Sequence, residues 1–393
     1  MSEPAPPSET EATCKILVVD DEPDLEHLMR QRLRRDVRAG RFELAFAHDG
    51  VEALEMLASD RDIDMVLSDI NMPRMDGLTL LEQIPSVDPN IRSVIVSAYG
   101  DMKNIRTAMN RGAFDFVTKP IDFEDLRITI DKTRQHLAAL REALRTRDRL
   151  VAVQNELDVA RDMQQSILPR QFPRQPTFEV FGNMEAARQV GGDFFDIINL
   201  EGGKVGLAIA DVSGKGVPAA LFMMSSRTLL KGAAIGHGEP GAALAEVNDL
   251  LEADNDSAMF VTVFYGVYDP NTGTLTYANG GHNPPLIVHP DGSSTVLEPT
   301  GGIALGVAPG LPYGQAEAHL DPGDIVVLYT DGVTEAMDPD NVEFELERLQ
   351  NVYAEAPPTD ARTANDAAFE AVHAFAAGAP QSDDITCVTL MRI

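Results

Sequence analysis

Residues 15–21 read KILVVDD, a short apolar run that ends in two acids. Four more apolar runs follow before residue 120, and an amphipathic stretch separates each from the next. They are FELAFA (42–47), IDMVLSD (63–69), RSVIVS (92–97) and FDFVTK (114–119). Strands that alternate with helices in this way are typical of a parallel sheet covered on both faces. The sequence therefore predicts an α/β doubly wound domain with a five-stranded parallel sheet.

Polar side chains stand where four of these predicted strands end. The first run ends at Asp20 and Asp21, the third at Asp69, the fourth at Ser97 and the fifth at Lys119. The carboxyl ends of parallel strands meet at one edge of the sheet, where ligands bind. Clustered acids repel one another unless a cation lies among them, and oxygen ligands suit Mg²⁺. A single such acid commonly caps the next helix, but the full set favours a binding site.

The motifs VVDDE, SDINMPRMDG, VSAYG and TKP occur in this order, and the segment 15–135 resembles the receiver domain of two-component response regulators. The resemblance implies that Asp69 is the phosphoacceptor. It also implies a Mg²⁺ site, a contact to the phosphoryl group, an ion pair with it and a switch aromatic. These roles fall to Asp20, Asp21, Asp69 and the carbonyl of Asn71 for Mg²⁺, Ser97 for the contact, Lys119 for the ion pair and Phe116 for the switch. Phe116 is equally consistent with an ordinary core residue.

The stretch from Asp122 to Leu168 contains neither glycine nor proline, which predicts one long helix. Apolar positions from Leu126 to Leu144 follow the alternating spacing of a coiled-coil seam. A second series, from Leu150 to Ile167, resumes the seam one residue out of register, which is either a hinge or a simple irregularity. The polar face is rich in charged residues, so we expect this helix to form a homodimer rather than to pack against its own domain.

The stretch IADVSGKG at 209–216 raises the question of whether its glycines cradle a phosphate or its acid binds a metal. The usual phosphate-binding loop has no carboxylate facing the anion, so we favour the metal. Further acids follow or precede apolar strands in this part of the chain, which predicts a hard-cation site. They are Asp193 and Asp196 in VGGDFFD, Asp331 in YTDG, and Asp383 and Asp384 in SDDIT. Gly-rich strands with grouped helices predict an α+β layered fold, a β-sandwich flanked by helices.

These acid motifs, an ILP sequence at the end of the linker helix and a GGHNPP loop resemble the SpoIIE-type branch of the PPM metal-dependent serine/threonine phosphatases, over residues 160–393. The resemblance implies two Mn²⁺ or Mg²⁺ ions bridged by Asp211, with the carbonyl of Val212 as a further ligand. Asp331 and Asp383 would complete one metal site, with Asp384 as the alternative to Asp383. Asp193 would support the other metal.

Two further residues of this region have more than one interpretation. Arg188 is a candidate to hold the substrate phosphate, but a surface arginine without a role would look the same in the sequence. His282, in GGHNPP, we interpret as structural, because such a loop can be fixed by hydrogen bonds alone.

Composition limits the partners. The 393 residues include 62 acids and 32 bases, and a net charge of −30 disfavours nucleic acid and anionic membranes as partners. No apolar run is long enough for a membrane span, and no signal peptide is visible, so we expect a cytoplasmic protein. We predict a disordered tail at 1–13, a receiver domain at 14–121, a helical linker at 122–168 and a phosphatase domain at 169–393.

The combination predicts a response regulator whose phosphorylation by a sensor histidine kinase controls a protein serine/threonine phosphatase. The resemblance implies a phosphorylated anti-sigma-factor antagonist as the substrate, in a partner-switching pathway. The alternative is a non-catalytic adaptor that binds a sigma factor or its regulator through a phosphatase-like domain. The full set of acids favours the enzyme.

Overall fold

Strands alternate with helices in the first part of the chain, as the sequence predicts. The computed structural model describes residues 13–98, 100–253 and 255–393, and these divide into two units between Val151 and Ala152. The predicted tail at 1–13 lies outside the described residues except for Thr13. The first unit contains β1 (Cys14–Val19), α1 (Pro23–Arg32), α2 (Arg34–Arg38), β2 (Phe42–Ala47), α3 (Gly50–Ser59), β3 (Ile63–Asp69), α4 (Gly77–Val87), β4 (Arg92–Ala98), α5 (Met102–Asn110), β5 (Asp115–Lys119) and the beginning of α6 (Phe123–Ile167).

The sheet of the first unit has five parallel strands in the order β2-β1-β3-β4-β5, which confirms the predicted fold class. Neighbouring residues of β1 face opposite sides, because side chains alternate along a strand. Ile16 and Val18 belong to one buried cluster, and Leu17 and Val19 belong to another on the other face. Both faces of the sheet are therefore covered, and the ends of the strands remain for the site.

Helix α6 is continuous, as predicted, but its first half packs against the domain that precedes it rather than forming the predicted dimer seam. Leu126, Ile130 and Leu137 are buried in the same cluster as Ile16 and Val18. The sequence assigned these positions to a separate linker and to a dimer seam, and the packing corrects both assignments. A helix with a charged outer face can still bury one apolar stripe against its own domain. Of the predicted seam, Leu150 and Val153 are exposed, at 65% and 48%.

The second unit contains two antiparallel sheets. Its elements are the end of α6, β6 (Arg174–Gln175), β7 (Phe178–Glu185), β8 (Phe194–Asn199), β9 (Val205–Val212), α7 (Val217–Gly236), α8 (Pro240–Ala253), β10 (Val261–Asp269), β11 (Thr274–Gly280), β12 (Leu286–Val288), β13 (Ser294–Val296), β14 (Ala316–His319), β15 (Ile325–Tyr329), α9 (Asp331–Thr334), α10 (Glu345–Glu355), α11 (Ala361–Ala376) and β16 (Ile385–Arg392). The sheet orders are β14-β11-β10-β9-β8 and β13-β12-β15-β16-β7-β6.

Three buried clusters show that these sheets are the inner layers of a four-layer sandwich. Leu207 and Ile209 of β9 lie in a cluster shared with Val388 and Leu390 of β16, between the two sheets. Ala208, on the other face of β9, belongs to a cluster with residues of α7 and α8. A third cluster joins β15 and β16 to α10 and α11. The predicted β-sandwich flanked by helices is confirmed.

Within the described residues, no helix combines the length and the apolar composition that crossing a membrane requires.

Candidate functional site

The carboxyl edge of the parallel sheet brings three acids together. Carboxylate oxygens of Asp20, Asp21 and Asp69 all lie within 4.8 Å of one another, and Asp20 and Asp69 are buried. Lys119 at the end of β5 places its Nζ 2.9 Å from an oxygen of Asp20 and 2.9 Å from an oxygen of Asp69. The strands thus place the predicted acids and the predicted lysine at one point.

Burial and ion pairing have opposite effects on the pKa values of Asp20 and Lys119. Burial raises the pKa of Asp20, although its hydrogen bond with Lys119 opposes the shift. Burial alone would lower the pKa of Lys119, but its hydrogen bonds with Asp20, Asp69 and Glu22 raise it well above its usual value. The lysine therefore stays charged and balances part of the acidic charge.

The other predicted receiver residues have three different environments. Asn71 is exposed, two residues beyond Asp69. Ser97 is buried, and its Oγ has no hydrogen-bond partner among the described residues. Phe116 is half-buried and packs against a cluster that includes Ile95, which fits both of its interpretations.

A close backbone approach in this site was not predicted. A Cβ on Gly77 would lie 2.0 Å from the carbonyl oxygen of Asp69, so only glycine fits there. The Gly77 N–H donates to the carbonyl of Ile70 at 2.9 Å, which ties the loop after Asp69 to the start of α4. In the sequence, the glycine of the MDG motif could have indicated this close approach.

The second unit gathers acids from separate strand ends. Asp211 lies in β9, and Asp331 begins α9, with one residue between it and the end of β15. Asp383 precedes β16 and Asp193 precedes β8. Burial, and then the nearby carboxylates of Asp331 and Asp383, raise the pKa of Asp211 to about 7. Burial and the charge of Asp211 also raise the pKa of Asp193 well above its usual range. Carboxylates affect one another's pKa in this way only when they lie close together, so the acids share one site.

Asp193 is the most deeply held of these acids. It is 1% exposed, and its Oδ2 accepts hydrogen bonds from the hydroxyls of Thr330 at 2.8 Å and Thr386 at 2.6 Å. The sequence did not single out these threonines. Their positions in the sequence could have indicated a role at the site, because each lies close to a predicted acid. Thr330 lies directly before Asp331, and Thr386 lies shortly after Asp384. They fix the orientation of the Asp193 carboxylate.

The neighbouring acids Asp383 and Asp384 have different surroundings. Asp384 accepts backbone N–H groups of Ala187 at 2.8 Å and Gly192 at 2.7 Å, so it holds the loop that precedes β8. Asp383 instead forms an ion pair with Lys215, with 2.7 Å between Nζ and Oδ2. A carboxylate that accepts backbone hydrogen bonds on both oxygens has less capacity for a metal than one whose partner is a single, partly exposed lysine. The geometry favours Asp383 as the metal ligand and Asp384 as an anchor.

Two glycines allow these segments to approach one another. A Cβ on Gly191 would lie 2.3 Å from Oδ2 of Asp384, and one on Gly332 would lie 1.9 Å from the carbonyl oxygen of Asp384. Both positions therefore exclude any side chain. The glycine of the TDG motif is thus required by packing against the SDDIT segment.

Of the remaining candidates, Val212 and Arg188 lie in segments next to the acids, and Asp196 lies apart from them. Val212 is buried beside the acids, and a Cβ on Gly192 would lie 3.0 Å from its carbonyl oxygen. Arg188 is exposed in the loop that Asp384 holds, and no described residue pairs with it. Asp196 does not join the acids, because its carboxylate pairs with Arg227 of α7 at 2.8 Å.

His282 contacts the strand that is paired with the Asp211 segment. It is 5% exposed, and its Nδ1 lies 2.9 Å from the hydroxyl of Thr262, the β10 residue paired with Asp211. Its backbone is fixed by Asn279, which accepts from the His282 N–H at 2.7 Å. Burial lowers its pKa to about 4, so the ring is neutral at physiological pH. These contacts agree with the structural interpretation of the GGHNPP loop.

Both acid groups suit divalent cations. The receiver acids form a compact oxygen set of the kind that binds one Mg²⁺. In the part of the chain that the structure describes, no other three acid, histidine or cysteine ligands come within 4.8 Å of one another. Burial, and then the charges of neighbouring carboxylates, raise the pKa values of Asp193, Asp211 and Asp331, and a bound cation would favour the ionised form of each.

Comparison with known proteins gives two family matches. Residues 16–131 match the response regulator receiver domain, and residues 201–392 match the family described as stage II sporulation protein E (SpoIIE). The chain is similar to phosphoserine phosphatase RsbU of Bacillus subtilis, with 30% identity over 52% of this chain and 60% of the relative. It is also similar to protein IcfG of Synechocystis, with 31% identity over 60% of this chain and 41% of the relative.

A solved structure agrees on the fold. The SiaA-PP2C domain of Pseudomonas aeruginosa aligns over 62% of this chain and 98% of its own, with a TM-score of 0.53 and 23% identity. The chain spans about 60% and 41% of the lengths of the two relatives above, so their shared part is less than the whole of either.

Proposed function

We propose that this chain, which joins a response regulator receiver domain to a SpoIIE-type phosphatase domain, is a metal-dependent protein serine/threonine phosphatase controlled by phosphorylation of its receiver. The observation that carries the proposal is that Asp193, Asp211, Asp331 and Asp383 come from four separate segments and lie close enough together for their charges to affect one another. A binding module gains nothing from mutually repelling buried acids, whereas a two-cation hydrolase needs them.

The residues of the chain take distinct parts in this proposal. Bound divalent cations would lower the pKa of a water between them and orient it toward a phosphoester. Asp211 would hold both cations, with Asp331 and Asp383 on one side and Asp193 on the other. The hydroxyls of Thr330 and Thr386 keep Asp193 in place. The exposed guanidinium of Arg188 is in the loop fixed by Asp384, where it can meet an incoming phosphate.

The receiver would take a phosphoryl group from a sensor histidine kinase on Asp69. Asp20, Asp21 and the Asn71 carbonyl would hold Mg²⁺ beside it. Lys119, already 2.9 Å from Asp69, can follow the added negative charge. The Oγ of Ser97, which lacks a partner among the described residues, is available to donate a hydrogen bond to the phosphoryl group.

We further propose that the substrate is a phosphorylated anti-sigma-factor antagonist in a partner-switching pathway, in the cytoplasm where such regulators act. The similarity to a phosphoserine phosphatase supports phosphoserine as the group removed. Homodimerisation through the exposed second half of α6 remains part of the proposal, supported by the exposure of Leu150 and Val153.

Hydrolysis of a phosphoserine peptide by the purified full chain tests the enzymatic proposal. We expect release of phosphate that requires Mn²⁺ or Mg²⁺ and is abolished by Asp331→Asn, because that change removes one ligand. Folding of the variant is checked by circular dichroism. Metal-independent release, or unchanged release by a folded Asp331→Asn protein, would favour the adaptor alternative or another site.

A further inference from the structure

Lys215 occupies an unusual place among the phosphatase acids. It lies in the SGKG segment that follows Asp211, and its Nζ contacts Oδ2 of Asp383 at 2.7 Å and the carbonyl of Ser382 at 2.6 Å. Among the described ion pairs, no other basic side chain meets Asp193, Asp211, Asp331, Asp383 or Asp384. Arg227 and Lys231, on the following helix, pair with Asp196 instead.

The surroundings of Lys215 allow it to leave this position. Its side chain is 40% exposed, so the ammonium can return to water without a large desolvation change. Gly214 and Gly216, on either side, both have positive φ, at 88° and 80°, and an added Cβ on either would meet nothing within 4 Å. The segment is therefore built on two permissive backbone positions in open space.

An ammonium and a divalent cation cannot both occupy the same face of Asp383 without repulsion. The contact to Lys215 uses the carboxylate that the proposed function assigns to a metal. We propose that Lys215 is the resident counter-ion of the metal-free centre, and that it competes with the incoming cation and swings away when the cation binds. The inference rests on the proposed metal-dependent function. It also explains how part of the repulsion among the acids is balanced when no metal is bound.

Competition has a thermodynamic signature that does not depend on activity. Removing the ammonium destabilises only the metal-free state, so the metal-free melting temperature falls while the metal-bound one is unchanged. By linkage, the cation then binds more tightly. The strength of partly exposed ion pairs suggests an increase in Mn²⁺ affinity of about 1.5- to fivefold.

The test measures Mn²⁺ binding by titration calorimetry on the EDTA-stripped full chain carrying Asp21→Asn, which weakens the receiver's own site. We expect tighter Mn²⁺ binding in Lys215→Gln, and affinity close to that of the parent in Lys215→Arg, because arginine keeps the charge. Lys231→Gln removes the same charge from the pair with Asp196 and should leave Mn²⁺ affinity unchanged.

Equal or weaker Mn²⁺ binding in Lys215→Gln, with the fold intact by circular dichroism, overturns the proposal. So does a lower melting temperature of the metal-bound state that matches the loss in the metal-free state, because Lys215 would then remain in place with metal. Failure of the proposed function gives a different pattern: Mn²⁺ binds and Lys215→Gln tightens it, but no phosphopeptide is hydrolysed.

Discussion

The pair Asp383 and Asp384 shows how adjacent identical side chains acquire different roles. Sequence alone left the choice of metal ligand between them open, because spacing cannot resolve a shift of one residue. The strand β16 begins directly after them, so they point in different directions. One accepts the backbone of the loop before β8, and the other meets Lys215. The proposed assignment of the metal to Asp383 thus rests on hydrogen bonds from distant segments that no local pattern reveals.

Asp211→Asn should abolish metal binding and activity without destabilising the metal-free protein. The substitution removes a buried charge that nearby acids repel, so the metal-free melting temperature should stay the same or rise. Asp196→Asn is the contrasting control. It breaks a buried pair with Arg227 and should cost about 3 kcal/mol or more, yet the response to Mn²⁺ should survive. Thermal melts with EDTA and with Mn²⁺ distinguish the two; loss of metal-free stability in Asp211→Asn would contradict the site.

The raised pKa of Asp211 also predicts a pH dependence. Its pKa is about 7 in the folded chain, above its ordinary value of 3.8, so the folded state holds the proton more tightly than the unfolded state. The free energy of unfolding therefore falls progressively as pH rises from about 4 through 7, by about 1.4 kcal/mol for each pH unit in that range. Relative to Asp211→Asn, the wild-type protein in EDTA should lose stability between about pH 4 and pH 7.

Metal should reverse this trend, because the cation competes with the proton for the same carboxylate. Mn²⁺ affinity should rise with pH up to about 8. Melts of both proteins at several pH values provide the measurement. A wild-type minus Asp211→Asn difference that is flat with pH would mean that Asp211 does not titrate in this range.

At the scale of elements, the strands of the receiver and the main strands of the sandwich could be predicted, because apolar runs such as KILVVD (15–20) and IDMVLSD (63–69) mark buried strands by themselves. Helices α10 and α11 were not predicted, although their apolar faces pack on β15 and β16. The first half of α6 was assigned to a dimer, because an apolar stripe has the same spacing whether it faces a partner or its own domain. Periodicity identifies a buried face but not what covers it.

The end of α6 makes a contact that suits the transmission of a signal. Gln164 is 4% exposed, its side-chain N–H donates to the carbonyl of Gly191 at 2.6 Å, and its Oε1 accepts from the Gly191 N–H at 3.0 Å. Gly191 lies two residues before Asp193. A shift or rotation of the helix end would therefore move the segment that carries a predicted metal ligand.

Gln164→Ala should uncouple the helix from this loop. It leaves two buried backbone groups of Gly191 without partners, at a cost of about 1–3 kcal/mol. We expect the activity ratio with and without a phosphoryl donor to fall to about one. Gln165→Ala changes the exposed neighbour on the same helix and should preserve the ratio. Regulation that survives in a folded Gln164→Ala protein would mean that the signal bypasses this contact.

At the scale of the whole molecule, two units with separate cores share one continuous helix. A typical coupling between two sites is about 1–3 kcal/mol, or roughly five- to 150-fold in an equilibrium. In the proposed function, phosphorylation of the receiver changes phosphatase activity only if it favours one arrangement of an element common to both units. Helix α6 is the element that fits this requirement, and pairing of two such helices in a homodimer would give it two arrangements.

The packing of α6 determines where the chain should be truncated to test dimerisation. A chain that ends after Arg147 keeps Leu126, Ile130 and Leu137 in the receiver core but loses the exposed positions from Leu150 onward. We expect this fragment to fold and to sediment as a monomer, and the full chain to sediment as a dimer. A chain that ends near residue 125 should fail to fold, because Ile130 and Leu137 are missing. A dimeric fragment ending at Arg147 would place the interface in the receiver.

The most direct test of phosphorylation-controlled phosphatase activity is the rate of phosphoserine peptide hydrolysis by the full chain in Mn²⁺, with and without acetyl phosphate. The control is Asp69→Asn, which keeps the shape of the side chain but cannot accept a stable phosphoryl group. We predict metal-dependent hydrolysis in both proteins, and a rate that responds to acetyl phosphate only in the wild type. An equal response in Asp69→Asn, or no hydrolysis by either protein, would contradict the account.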